Sequence, residues 1–160
     1  MSMFGKENKN VVNVQRFLEF FLGNESYAVE LLKVKEVLTP PEMTPIPKAP
    51  SYVCGLMNLR GLVLTVIDLR KKLGITSDKN SDQNAVIIFD IGDRRVGVVV
   101  DSIQKVLNVG QDQIRPVPGE ASDSSNHLIG VIHQGDKLTM LMDPEALLDG
   151  VKVEKKMKAA

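Results

Sequence analysis

The chain repeats itself once, and that repeat restricts it to folds built from two like halves. Shifted by 69 positions, Phe20-Phe21-Leu22-Gly23-Asn24 lies on Phe89-Asp90-Ile91-Gly92-Asp93, and Ala28-Val29 lies on Gly97-Val98. The match continues through Val34/Ile103, Val37/Val106 and Leu38/Leu107. Shifted by 71, Thr44-Pro45-Ile46-Pro47 meets Arg115-Pro116-Val117-Pro118. Shifted by 75, Val53-Cys54-Gly55-Leu56-Met57 meets Leu128-Ile129-Gly130-Val131-Ile132, and Asp68 and Leu73 land on Asp143 and Leu148. The drift corresponds to insertions of two and four residues, placed in loops, where extra residues are tolerated.

Each half reads as short strands. Arg16 to Leu22 puts Leu18, Phe20 and Leu22 on one face, and Gly23-Asn24 supplies a tight turn before Tyr27-Ala28-Val29. Leu62 to Ile67 is nearly all apolar, as a strand covered on both faces would be, and Ala85 to Ile91 pairs with Val96 to Val100 across Gly92-Asp93. Leu128 to His133 and Leu138 to Met142 flank the turn Gln134-Gly135-Asp136-Lys137. Asp68 and Asp143 stand where each would N-cap a short helix, and Pro144 fits the first helical position. Halves of this kind are too small for a sandwich and suit a small closed barrel. Two barrels side by side follow, over roughly 15–80 and 84–150 of a folded body 15–150, with apolar surface buried along a seam that is also a groove. Residues 1–14 are polar and aperiodic, and 151–160 form a basic tail with Lys152, Lys155, Lys156 and Lys158.

Composition narrows the function. Twenty Lys plus Arg balance twenty Asp plus Glu, so no basic field gathers nucleic acid or anionic lipid. No apolar run has the length of a membrane span, and Met1 to Asn13 lacks the apolar core of a secretion signal, so the expected location is the cytoplasm. The single cysteine, Cys54, rules out an internal disulfide and a multi-thiolate metal site, and it reads as a small buried hydrophobe rather than a nucleophile. His127 and His133 have no partners at metal-ligand or catalytic spacing. Neither a catalytic site, a metal nor a cofactor is expected.

Interaction chemistry remains, and the repeat locates it. Glu36 aligns with Lys105 inside segments whose apolar positions agree, so the charge at that place is not set by folding. In the turn Asn58-Leu59-Arg60-Gly61, Arg60 aligns with Gly135; its planar fork either bonds a partner or ties down its own loop.

The run Gly55 to Gly74, G-L-M-N-L-R-G-L-V-L-T-V-I-D-L-R-K-K-L-G, resembles the signature segment of the CheW family of bacterial chemotaxis. Phe17 to Val37, Gly92 to Asp101 (G-D-R-R-V-G-V-V-V-D) and Gln113 to Pro118 (Q-I-R-P-V-P) are similar to it as well, so the resemblance spans most of the chain. It implies two five-stranded SH3-like β-barrels with short helices, and a non-catalytic adaptor that bridges the cytoplasmic tips of methyl-accepting chemoreceptors to the regulatory domain of the kinase CheA. By motif position it places receptor binding at Val34, Glu36, Arg60, Gly97 and Val106, and kinase binding around Met43 and Ile46, with Arg115 at a second contact used when arrays close into rings. The free chain is expected to be a monomer that joins arrays beneath the inner face of the membrane. Thr65 and Cys54 depart from the residues frequent at those places in the family. A different class, a small-ligand-binding double barrel, would require polar groups converging inside the seam.

Overall fold

The computed structural model describes residues 14–75, 84–119 and 127–148. The N-terminal residues before Val14, the Asp123 to Asn126 loop and the basic tail lie outside the described residues. The first half supplies β1 (Val14–Leu22), β2 (Glu25–Glu30), β3 (Val34–Leu38), β4 (Val53–Leu59), β5 (Leu62–Asp68) and helix α1 (Leu69–Leu73). The second supplies β6 (Ala85–Ile91), β7 (Arg94–Val100), β8 (Ser102–Gly110), β9 (Ile114–Arg115), β10 (Leu128–Gln134), β11 (Lys137–Met142) and helix α2 (Pro144–Leu147). The hairpins read from the turn residues are present, and so are both caps. Asp68 accepts hydrogen bonds from the backbone N–H groups of Arg70 and Lys71, and Asp143 accepts one from that of Glu145.

The sheets run β8-β1-β2-β11-β10-β9 and β3-β6-β7-β5-β4. Under the repeat these are one order. β3, β6, β7, β5 and β4 occupy the places of β8, β1, β2, β11 and β10, and Thr44, bridged to Leu56, occupies the place of β9. The halves, however, do not close one barrel each. The β1–β2 hairpin completes the sheet of second-half strands, and the β6–β7 hairpin completes the sheet of first-half strands. The boundary near residues 80 to 84 therefore separates repeats and not barrels, which corrects the expected division.

The physical reason lies in hairpins with two apolar faces. In β1, Leu18, Phe20 and Leu22 face the seam while Phe17 faces a barrel interior, so each hairpin must be covered twice. A link of only three residues, Leu31–Lys33, then leads from β2 directly into β3 of the other sheet. The interior of the first barrel, the sheet β3-β6-β7-β5-β4, holds Met57, Leu64, Val66, Val86, Ile88 and Val99. The interior of the second, completed by β1–β2, holds Phe17, Ala28, Leu107, Val109, Ile132 and Leu141. A larger cluster between them, including Phe20, Tyr27, Ile67, Phe89, Val98 and Met142, draws on both sheets and makes the pair of barrels one unit.

A buried ionic group closes one end of the seam. Asp101, between β7 and β8, accepts hydrogen bonds from the backbone N–H of Gly23 in the β1–β2 turn and from Arg70 at 2.5 Å. Arg70 also pairs with Asp68 at 3.0 Å. Three separate pieces of chain, from both halves, are tied by one guanidinium and two carboxylates.

Candidate functional site

Two β-bulges create the site. In a regular strand, residues three apart point to opposite faces. The bulge in β3 lies between Val34, which pairs with Phe89, and Glu36, which pairs with Ile88, and Val37 then pairs with Ile87. Phe89 and Ile87 belong to the seam cluster and Ile88 to the first barrel's interior, so Val34 and Val37 share the seam face while Glu36 turns toward the barrel. The repeat reproduces this in β8, where Ile103 pairs with Phe20 and Val106 with Leu18 across the matching bulge. β3 is an edge strand of its sheet and β8 an edge strand of the other, so two apolar pairs flank the seam from opposite sheets. Val37 is 41% exposed and Val106 is 42% exposed, while Val34 and Ile103 are half-buried.

Glu36 and Arg60 are brought together. The turn between β4 and β5 has positive φ at both central residues, 51° at Arg60 and 85° at Gly61, and the Asn58 carboxamide oxygen accepts a hydrogen bond from the Gly61 N–H at 2.9 Å. From this turn the Arg60 guanidinium donates to both oxygens of Glu36, at 2.7 and 2.8 Å. Of the two roles open to Arg60, the tie within its own protein is therefore made. The fork holds the Glu36 carboxyl below its ordinary range, and the carboxylate raises Arg60. Arg60 remains 71% exposed in its side chain, so the pair is also a surface feature. It joins the two ends of the first barrel's strand order, β3 and the tip of β4–β5.

The remaining predicted residues are dispersed. Gly97 is buried in β7, and a Cβ there would stand 3.1 Å from Val86 Cγ1 and 3.2 Å from Val66 Cγ2. It offers no side chain to a partner and serves close packing inside the first barrel. Met43 is half-buried against that barrel's interior cluster, while Ile46 is exposed. Arg115 is exposed on β9, opposite Val131, the place that Thr44 opposite Leu56 occupies in the other barrel. Met43 and Ile46 thus lie in one segment and Arg115 in its repeat-equivalent segment on the other barrel. Cys54 packs against the first barrel's interior, and burial pushes its thiol up, away from nucleophilic use. Burial lowers His127. Among the described residues no group of three or more His, Cys, Asp or Glu side chains is arranged for a metal ion.

Some features were missed by sequence reasoning. Val37 and Ile103 share the seam edges with the predicted valines, and their alignment with Val106 and Val34 was the available signal. Leu32, 92% exposed in the link between β2 and β3, was not singled out. With Val14, Gln15, Arg16, Glu30 and Leu31 it lines a groove of about 230 Å³. The center of the seam is filled by apolar side chains, among them Phe20, Ile67, Phe89 and Met142.

These features define a class: a paired β-barrel whose surface chemistry is that of an interaction scaffold. A family model described as a CheW-like domain matches residues 16–152. The chain belongs to the CheW-like family. It is 39% identical over 138 residues to the chemotaxis protein CheW of Klebsiella aerogenes, covering 84% of this chain and 81% of that protein. It is 31% identical over 144 residues to the chemotaxis protein CheW of Helicobacter pylori, covering 90% and 87%. Among solved structures it is similar to the scaffolding protein TtCheW from Thermoanaerobacter tengcongensis, with a TM-score of 0.78 and 28% identity over 84% of this chain and 92% of that one. No described helix is long and apolar enough to cross a membrane.

Proposed function

We propose that this chain is a non-catalytic chemotaxis adaptor that couples methyl-accepting chemoreceptors to the histidine kinase CheA, so that receptor state controls kinase activity. It acts in the cytoplasm, at receptor arrays, and needs no cofactor. The observation that carries this reading is the pair of bulges, which line the seam edges with Val34 and Val37 on one sheet and Ile103 and Val106 on the other. A receptor tip is a helical bundle, and an amphipathic helix seats an apolar stripe in a groove rimmed by charge. The Glu36–Arg60 pair supplies that charge beside β3. Leu32 adds an exposed apolar side chain in the link preceding β3, beside a groove of mixed polarity. Gly97 takes no direct part, because its place is inside the barrel.

The kinase regulatory domain meets the first barrel around Met43 and Ile46, and the repeat-equivalent surface at Arg115 meets a second kinase-type domain during ring assembly. Modest affinity suffices, because simultaneous engagement at several faces multiplies weak contacts. The test measures binding of the wild type, Glu36→Arg and Arg60→Glu to a receptor cytoplasmic fragment and to a CheA regulatory domain. Loss of receptor binding with kinase binding kept is expected. A wild type that binds neither partner overturns the reading.

A further inference from the structure

The two barrels differ inside. In the first, Ile88, Leu62 and Leu64 pack together around the interior cluster. The repeat places Glu19, Lys137 and Thr139 at the same three positions of the second barrel. There Glu19 is 1% exposed, and it accepts a hydrogen bond from Ser26 Oγ at 2.5 Å and an ion pair from Lys137 Nζ. Ser26 and Thr139 hydroxyls lie 3.1 Å apart, joining β2 to β11. Among the described residues, Glu19 Oε1 has no hydrogen-bond partner. The Lys137 side chain is half-exposed and also lies over the Phe21 ring.

This cluster stands at a junction whose backbone pairing is short. β2 and β11 are parallel neighbors joined at only two register pairs, Met140 with Tyr27 and Leu141 with Ala28. The equivalent junction of β5 and β7 has four, from Thr65 with Val96 to Asp68 with Val99. We infer that Glu19 and Lys137 form an ionic latch across the β2–β11 junction, which makes the second barrel the one that opens there. Opening the first barrel at this place exposes hydrocarbon. Opening the second hydrates a carboxylate that lacks a partner for one oxygen and an ammonium already half in water, so separation is opposed less. The closed state depends on the lysine charge, because without it a buried carboxylate is left uncompensated.

Amide hydrogen exchange on the full chain tests the latch, with wild type, Lys137→Met, Lys137→Arg, Glu19→Gln and Glu19→Gln/Lys137→Met. In Lys137→Met the amides of β11 and β2 should exchange about tenfold faster or more, while those of β5 and β7 keep their rates. Lys137→Arg should behave as wild type. Adding Glu19→Gln to Lys137→Met should restore most of the protection, since a neutral amide needs no counter-ion. If Lys137→Met does not fold, recovery of folded chain in the double variant reads the same charge relationship. Equal acceleration in both sheets, unchanged exchange in β11 and β2, or a double variant without recovery overturns the latch.

Discussion

Glu36 accepts both terminal nitrogens of Arg60, at 2.7 and 2.8 Å, from a turn residue held at a φ of 51°. A non-glycine residue in that region is uncommon and carries a small strain, which the bidentate pair and the Asn58–Gly61 hydrogen bond oppose. The two side chains should act as a unit in binding. Glu36→Arg and Arg60→Glu should each weaken the receptor fragment, with losses well short of additive in the double variant. Thermal unfolding of the singles should stay close to wild type, because exposed pairs contribute little to stability. Additive binding losses would show the two residues acting separately.

Gly97 should reveal itself as a packing residue. A valine there meets Val86, Val66 and Ile88, and overpacking of this kind costs about 1–3 kcal/mol. Gly97→Val should lower the melting temperature before any partner is added, and binding per folded molecule should stay near wild type. A fully stable Gly97→Val that fails to bind would contradict this.

Gly55 and Gly130 are repeat equivalents under different demands. At Gly55, φ is 145° and a Cβ would stand 2.4 Å from the Thr44 carbonyl oxygen; at Gly130 the nearest atom, the Arg115 oxygen, is 3.1 Å away. Gly55→Ala should destabilize by about 2 kcal/mol or more, and Gly130→Ala by distinctly less, in urea unfolding.

Acid should release two carboxylates late. Burial opposes the charge on Glu19, yet Lys137 and Ser26, with Lys105 nearby, bring its carboxyl below the ordinary value of 4.5; Arg60 does the same for Glu36. A carboxyl lowered by folding adds stability above its unfolded value, and that stability is lost as pH falls through the folded one. Carbon-13 titration should place both transitions below 4.5, and stability should decline as pH drops through that region. A midpoint for Glu19 above 4.5 would refute the assignment.

Hairpin exchange makes the halves interdependent. Fragments 1–79 and 80–160 should each remain unfolded alone, because each lacks the hairpin that completes its sheet. Mixed, they should regain the circular dichroism spectrum of the intact chain. A stably folded single fragment would be incompatible with the exchanged sheets.

The surface at Arg115 gives a test of the adaptor reading. Arg115→Glu should leave the binary complex with a CheA regulatory domain intact and impair only ring assembly. Loss of the binary complex would place Arg115 at the first kinase contact instead.

The sequence alone determined what is local or periodic. Glycine turns marked the hairpins, Asp68 and Asp143 marked the helix starts, and the self-match of Phe20-Phe21-Leu22-Gly23-Asn24 with its counterpart marked the duplication. Those signals depend on neighboring residues, so they survive without knowledge of the fold. Tertiary structure decided which sheet each hairpin joins, since a strand with two apolar faces does not specify which neighbor covers which face. It also decided that a bulge puts Val34 and Val37 on one face, that Arg60 turns back to Glu36, and that Gly97 lies inside the barrel. In each case the deciding contact lies across a sheet, a seam or a turn from residues distant in the chain, where hydrophobic alternation carries no instruction.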